Sequence, residues 1–484
     1  MAEYLNWHKS RGITRVEDNL VNRLIAGRDC IEYCGTTEFW RERVVSLYSS
    51  SSDLSLEPFQ IDDVVKMCRV KHILNANPMG LGKTVETIAY LRAIEAKSVL
   101  IVVPKILRYQ WRDQIEKWWG RSSEIYEKSS QNVLPGSIWI INYDKLRDDS
   151  ILTKFRTFRW DVVVLDEAHK IKNRSSKQTI AVKALPSDRR VALTGTPILN
   201  HADDLWSILH FLDKSYSGSS YWGFLGYFCK LQHTPWGDKI VGLTDNPVKL
   251  QLLHQIRELV CIRNNKIETA RGKTVEIVRL PMDSKQRVLY KKEKQLLLDE
   301  LPENCTIANG AVLAMRLRQT TSWPGLFIEG LVGPKFEWIL ELCKNSEPEK
   351  IVVFSVFEKT VSGLIDYLNE NGVSAVSITG KNKSDVNELN KSAFVERDVR
   401  VLAGTIGAMG QGYDGLQLVS HTMVFIDREW SPEIMVQAEE RLHRMGQRNV
   451  VNIYYLECQG SFDQHVGRIN KNKSDEIREA LQHE

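Results

Sequence analysis

Residues 72–96 read HILNANPMGLGKTVETIAYLRAIEA, and this stretch decides the fold. His72-Ile73-Leu74 has the apolar character of a short strand, and Val85 to Ala96 has the pattern of a helix. A glycine-rich turn lies between them. Strand, glycine loop and helix together form a cradle for phosphate: glycines let backbone N–H groups turn inward around an anion, and the helix N-terminus adds a favourable dipole. In such a loop Met79, Gly80, Leu81 and Gly82 surround the anion. Lys83 reaches the β- and γ-phosphates, and the Thr84 hydroxyl binds Mg²⁺. The match to GxxxxGK[ST] is imperfect because Asn77 holds the first glycine position. Taken alone, GLGKT also reads as a turn with a solvated lysine.

Downstream, residues 161–169 read DVVVLDEAH, an apolar strand ending in two adjacent carboxylates. At the strand's end Asp166 would hold Mg²⁺ through water, and Glu167 would polarise an attacking water as general base. His169 is placed to sense the γ-phosphate. The bland alternative is a strand followed by a solvated acidic turn. A phosphate loop upstream in the same α/β unit favours the functional reading, because phosphoryl transfer requires both a metal and a phosphate cradle. The next turn, Leu193-Thr194-Gly195-Thr196-Pro197, offers hydroxyls and amides that could couple the nucleotide to a bound strand; alone it is an ordinary Gly-Pro turn.

Beyond these segments, apolar strands alternate with helical patterns, which argues for parallel βαβ units. The expected strands of a first core are Val99–Val103, Ile138–Ile141, Val162–Leu165 and Val191–Leu193, with an amphipathic helix over Tyr109–Trp119. Residues 198 to about 330 read as helical, Ser284–Leu298 included. Alternation returns with expected strands at Ile351–Phe354, Val373–Ile378, Val399–Leu402, Met423–Ile426 and Val451–Leu456. The division read from the chain is an N-terminal helical segment (1–53), a first lobe (54–265) with a helical insertion from about 198, a helical protrusion and linker (266–333) and a second lobe (334–484). Trp7 and Trp40 are expected packing residues, and Ser49–Asp53 an expected linker.

In the second lobe, Gln437 to Gln447 reads QAEERLHRMGQ. On a helix Gln437, Arg441 and Arg444 would share one face, spaced by four and three. Guanidinium groups can stabilise charge developing on a transferred phosphoryl group. The bland reading is an exposed helix with Glu–Arg pairs.

Composition sets limits. The chain has 484 residues, 43% hydrophobic and 26% charged, with a formal charge of only +4. It is therefore not a polybasic binder, and nucleic-acid contact must come from a local groove. No run of about 18 apolar residues suggests a membrane span, and the first residues lack the apolar core of a secretory signal. The eight cysteines are scattered. Cys30 and Cys34 admit a zinc site, but buried reduced thiols are the plainer reading.

Taken in order, the motifs resemble the Swi/Snf family of helicase superfamily two over roughly residues 54–460. Leu56–Gln60 is similar to the family's adenine-recognition segment, which implies Gln60 as the adenine contact. Gly80–Thr84, Leu100–Trp111, Ile141–Tyr143, Asp166–His169 and Leu193–Pro197 resemble motifs I, Ia, Ib, II and III. Asp203–Leu212 is similar to the segment that follows motif III in this family. Lys350–Phe354, Gly404–Leu418 and Gln437–Gln447 stand where motifs IV, V and VI fall, and the last two look most like the HARP-type annealing helicases and their small prokaryotic or viral relatives. The family usually has Asp-Glu where this chain has Asn77-Pro78.

The resemblance implies an α/β fold with two RecA-like parallel-sheet lobes and helical insertions. It implies ATP and Mg²⁺ as cofactors and DNA, duplex or branched, as a sequence-tolerant partner. The activity implied is ATP-dependent translocation on DNA, with DNA remodelling or displacement of bound proteins in replication, repair or recombination as its use. A strand-separating DNA or RNA helicase and a catalytically weak DNA-binding scaffold remain as alternatives. The N-terminal segment, with Lys9, Arg11, Arg15, Arg23 and Arg28, could touch DNA or a protein partner. The implied location is cytoplasmic or nucleoid-associated in a prokaryotic or viral setting and nuclear in a eukaryotic one.

Overall fold

A computed structural model describes residues 35–48, 54–195, 202–218, 220–234, 237–264, 272–299, 307–410 and 413–470. Trp7, Cys30, Cys34, the N-terminal basic residues and the Ser49–Asp53 linker lie outside the described residues. The chain forms two compact units, residues 1–267 and 268–484.

The first unit is built on a seven-stranded sheet. Its early strands are β1 (His72–Asn75), β2 (Val99–Val103), β3 (Glu124–Ile125), β4 (Ile138–Asn142), β5 (Trp160–Leu165) and β6 (Ser187–Leu193). A hairpin of β7 (Cys229–Thr234) and β8 (Gly237–Leu243) stands apart, and β9 (Cys261–Ile262) returns to the sheet. The order is β3-β4-β2-β5-β6-β1-β9, and every pairing within it is parallel. Parallel strands place all their C-terminal ends on one edge of the sheet, where ligands of such folds bind.

Why the strands are so apolar follows from their position. Val162, Val163, Val164 and Leu165 have no exposed surface. Their side chains alternate between two cores: Val163 and Leu165 join Trp139, Phe155 and Trp160 on one face, while Val162 and Val164 join Ile88, Trp111 and Ile115 on the other. Each such side chain contributes roughly 1.5–3 kcal/mol by leaving water. Helices over Pro58–Arg69, Lys83–Ala93 and Arg108–Trp119 supply the second face. A further helix, Thr37–Tyr48, adds Trp40, Val44 and Tyr48 to it.

The second unit repeats the scheme with six parallel strands: β10 (Lys273–Leu280), β11 (Lys350–Ser355), β12 (Ala375–Ile378), β13 (Val401–Thr405), β14 (Ser420–Phe425) and β15 (Val451–Cys458). Their order is β10-β15-β14-β11-β13-β12.

The interval from 198 to about 330 is less helical than its sequence suggests. It holds helices over Ala202–Leu212, Pro247–Val260, Ser284–Asp299 and Ile307–Ser322, but also β7, β8, β9 and β10. Strand β9 has two residues, too few to leave a periodic signal. Strand β10 reads KTVEIVRL, and its pairing with β15 decides its state. No helix among the described residues is long and apolar enough to cross a membrane.

Candidate nucleotide site

Three consecutive neighbours in the first sheet, β5, β6 and β1, end on the same edge. The glycine loop follows β1, Asp166 and Glu167 follow β5, and Thr194 and Gly195 follow β6. Motifs separated by more than a hundred residues are thereby brought together.

The loop is shaped by its glycines. Gly80 and Gly82 have φ of 80° and 87°, in the left-handed region that costs other residues about 1 kcal/mol or more. A Cβ on Gly82 would also collide with the Gln60 amide. Gln60 is buried and spans two elements. Its Nε2 donates to the Leu81 carbonyl at 2.9 Å, and its Oε1 accepts from the Glu57 N–H at 3.0 Å within a capping box. Lys83 is the first residue of the helix, and its Nζ donates to the carbonyls of Asn77 and Pro78 at 2.8 and 3.1 Å. Gly195 packs on Met79, and a Cβ there would come within 3.3 Å of Lys83 Nζ. Thr194 is buried, and its N–H donates to Asn75 O at 3.1 Å. Thr196 lies outside the described residues.

Behind the loop is a buried polar cluster that the sequence did not announce. Asn77 sits between the carboxylates of Asp63 and Glu86: its Nδ2 donates to Asp63 Oδ2 at 2.7 Å and lies 3.4 Å from both Glu86 oxygens. Asn75 Nδ2 donates to Glu86 Oε2 at 2.6 Å. From the end of β9, Asn264 donates to Asp63 Oδ2 at 2.7 Å and, through its N–H, to Asn77 Oδ1 at 2.9 Å. Burial, helped by the charge of Asp63, pushes the Glu86 carboxyl up to about 8. The amide at position 77 thus donates to an acid already present on the neighbouring helix. At position 77 this gives a physical reason for the departure from the family's usual acid: a carboxylate there would be a third acid in a buried cluster; nothing in the structure explains Pro78.

Asp166 is 8% exposed. Its Oδ2 accepts from Trp111 Nε1 at 2.7 Å and its Oδ1 from the Glu167 N–H at 2.9 Å. The Asp166 carbonyl accepts from Tyr143 Oη, also at 2.7 Å. Burial pushes the carboxyl up to about 6, with Glu167 adding to the effect and the Trp111 hydrogen bond and the Lys83 charge opposing it. Glu167 adopts φ 51°, unusual for a residue with a side chain, and its Oε2 lies 3.2 Å from His169 Nδ1. Trp111 and Tyr143 entered the sequence reading only as the last residues of the segments that resemble motifs Ia and Ib, with no contact to Asp166 assigned to them. They reach Asp166 because β2 lies between β4 and β5, an order no local pattern encodes.

These residues fit a magnesium nucleotide. Each Asp166 oxygen keeps a lone pair beyond its single donor, Lys83 stands close enough to pull its pKa, and two glycines shape the loop. Among the described residues no three His, Cys, Asp or Glu side chains form a metal cage. Mg²⁺ bound through a hydroxyl, one carboxylate, water and phosphates needs none.

In the second unit the expectation of one helix carrying Gln437, Arg441 and Arg444 is corrected. The helix is Pro432–Glu439, so only Gln437 is on it. Beyond Glu439 the chain tightens into turns, with Arg441 N–H bonded to Ala438 O and Leu442 N–H to Glu439 O, and Gly446 at φ 90°. A local bond and a tertiary one hold the arginines instead: Arg441 Nε donates to Gln437 O at 3.3 Å, and Arg444 forms an ion pair with Asp414. Burial would raise the Asp414 pKa, but Arg444 and then Arg441 outweigh it and hold the carboxyl below its usual value.

The described cysteines Cys68, Cys229, Cys261, Cys343 and Cys458 are buried free thiols. Residues 63–326 match the SNF2-related domain, and residues 334–446 match the helicase conserved C-terminal domain. A probable ATP-dependent DNA helicase of Arabidopsis thaliana, CHR12, is 30% identical over 438 residues, covering 80% of this chain and 38% of that protein. The SWI/SNF-related matrix-associated actin-dependent regulator of chromatin subfamily A-like protein 1 of Xenopus tropicalis is 27% identical, covering 89% of this chain and 46% of that protein. The chain therefore spans less than half the length of these curated relatives. The Sulfolobus solfataricus SWI2/SNF2 ATPase core, solved in complex with dsDNA, is 24% identical with a TM-score of 0.42, covering 86% of this chain and 90% of that one.

Proposed function

This chain belongs to the SNF2-related family, and on that premise we propose that it is an ATP-dependent DNA translocase that couples hydrolysis to movement on duplex or branched DNA. The observation that carries the reading is the convergence of the glycine loop, the Asp166–Glu167 pair and Gly195 on one edge of the first sheet. DNA as the partner is supported by the relatives, among them a probable ATP-dependent DNA helicase. Remodelling of DNA structures or displacement of bound proteins is the use we assign to the movement.

Each residue has a role within this proposal. Lys83 neutralises the β- and γ-phosphates, and the loop amides from Met79 to Thr84 orient them. Gln60 braces the loop and keeps one N–H and one lone pair for the adenine edge. Thr84 and Asp166 would hold Mg²⁺, which supplies Lewis-acid neutralisation of phosphate charge when bound. Glu167 takes a proton from the attacking water, and His169, beside it, senses the γ-phosphate. Thr194, Gly195 and Thr196 link the loop to the DNA path. Gln437, Arg441 and Arg444 are assigned to charge developing on the transferred group. For Arg444 that requires exchange of its partner Asp414. Backbone contacts would dominate DNA binding, making it sequence-tolerant and salt-sensitive.

The test is ATP hydrolysis measured without nucleic acid and with single-stranded DNA, duplex DNA, a four-way junction and RNA, beside Lys83→Ala and Glu167→Gln. Duplex DNA should stimulate turnover, and both variants should lower it by about a hundredfold or more. Stimulation by single strands or RNA alone, or separation of a plain duplex, would replace this reading with a strand-separating helicase. No turnover above the Lys83→Ala level would leave a DNA-binding scaffold.

A further inference from the structure

We infer that Trp111 and Tyr143 are positioning residues of the nucleotide site, Trp111 for the metal-holding carboxylate and Tyr143 for the peptide that aims Glu167. The inference rests on the hydrolytic reading above and deepens it.

Trp111 lies on the Arg108–Trp119 helix that follows β2 and is 1% exposed. An indole has one donor and no acceptor. Buried, that N–H must find a protein partner, and it finds Asp166 Oδ2 at 2.7 Å. A hydrogen bond to an ionised group is shorter and about twice as strong as a neutral one. With the Glu167 N–H on Oδ1, the two donors fix the plane of the carboxylate. With one donor on each, both oxygens keep a lone pair for a further partner. Without Trp111 the carboxylate could rotate about its terminal torsion, which is broad for Asp.

Tyr143 follows directly on β4 and is 2% exposed. It donates to the carbonyl of Asp166 at 2.7 Å, not to the side chain. That carbonyl belongs to the peptide joining Asp166 to Glu167, whose φ of 51° must be held by its surroundings. Fixing this peptide plane fixes where the Glu167 side chain leaves the backbone. Two aromatic donors, one from the helix after β2 and one from the end of β4, thus hold two different degrees of freedom of one acidic pair. Outer partners of this kind typically change metal affinity or activity about 10–100-fold when removed.

The two roles separate experimentally. Trp111→Phe and Tyr143→Phe are made in the full chain. Mn²⁺ binding in the presence of a non-hydrolysable ATP analogue is followed by electron paramagnetic resonance, analogue binding is measured in EDTA, and hydrolysis is titrated with Mg²⁺. Trp111→Phe should weaken Mn²⁺ binding and raise the half-saturating Mg²⁺ about tenfold. Metal-free analogue binding should stay unchanged, and kcat should recover at high Mg²⁺. Tyr143→Phe should lower kcat about tenfold with the Mn²⁺ affinity unchanged. Equal loss of metal-free and metal-dependent binding in Trp111→Phe would mean a merely structural role and overturn the inference. So would wild-type kcat in Tyr143→Phe, a one-atom change that keeps the test open if Trp111→Phe does not fold. Absence of hydrolysis in the unmodified chain would instead count against the translocase reading, while the Mn²⁺ measurement would still decide the role of Trp111.

Discussion

The same topology ends twice in an acid, with opposite consequences. In the first unit Asp166 stands just past β5 with a single donor on each oxygen. In the second, Asp427 stands just past β14, and its carboxylate accepts from Ser322 Oγ at 2.8 Å, Ser355 Oγ at 2.7 Å and the Val356 N–H at 2.6 Å. Nearby Lys335, 1% exposed, donates to Ile426 O at 2.6 Å and Asp463 Oδ2 at 2.8 Å. Asp463 in turn accepts from Thr321 Oγ1 at 2.7 Å and the Cys458 N–H at 3.1 Å. This network joins the Ile307–Ser322 and Pro334–Asn345 helices to the sheet. A carboxylate surrounded by protein donors is a fastener; one with a spare lone pair on each oxygen, near a lysine and a glycine loop, is suited to a ligand.

The two lysines sharpen the contrast. Burial alone would lower the Lys335 pKa, but Asp463 above all reverses that and raises it. Lys183, in the first unit, donates to Ser207 Oγ at 2.9 Å and lies over the Trp206 ring. Burial, with Arg174 adding to it, lowers its pKa to about 8.

The largest expected effect is on the fastener. Lys335→Met would leave Asp463 as a buried charge without its ammonium, at a cost of about 3–5 kcal/mol. Thermal melting should show a lowered transition, while nucleotide analogue binding at low temperature persists. A melting curve matching the unmodified chain would mean the network is not what holds the second unit.

A middle-sized effect is expected behind the glycine loop. Asn77→Asp replaces a donor by an acceptor between two acids and should cost about 1–3 kcal/mol. Adding Asp63→Asn should restore most of the loss, because the amide and the carboxylate then simply exchange places. If the double variant is no better than the single one, the account of the departure at position 77 is wrong.

The smallest effect is pH-dependent. Lys183 has a folded pKa of about 8 against an ordinary value of 10.5, so between these limits the unfolded chain binds the extra proton. Stability from this residue therefore rises with pH across that window and is lowest below it. Lys183→Met should raise the melting temperature slightly at pH 7, with the advantage shrinking above pH 8. A constant difference across pH 7–10 would assign it to packing instead.

Much of this was legible from local pattern. Strands β2, β4, β5 and β11 are apolar runs largely buried on both faces, and such runs identify themselves by composition. The glycine loop and the DEAH turn are contiguous motifs, so their chemistry could be named residue by residue. The sequence by itself thus determined two parallel α/β cores, a glycine loop, an acidic pair and the family. Tertiary structure alone decided what depends on strand order and on turns. It put Trp111 and Tyr143 on Asp166, placed Asn264 from β9 against Asp63 and Asn77, and ended the Pro432–Glu439 helix before Arg441. Those contacts join residues tens to hundreds of positions apart. Periodicity reports only which face of an element is apolar, and it carries no record of which element lies beside it.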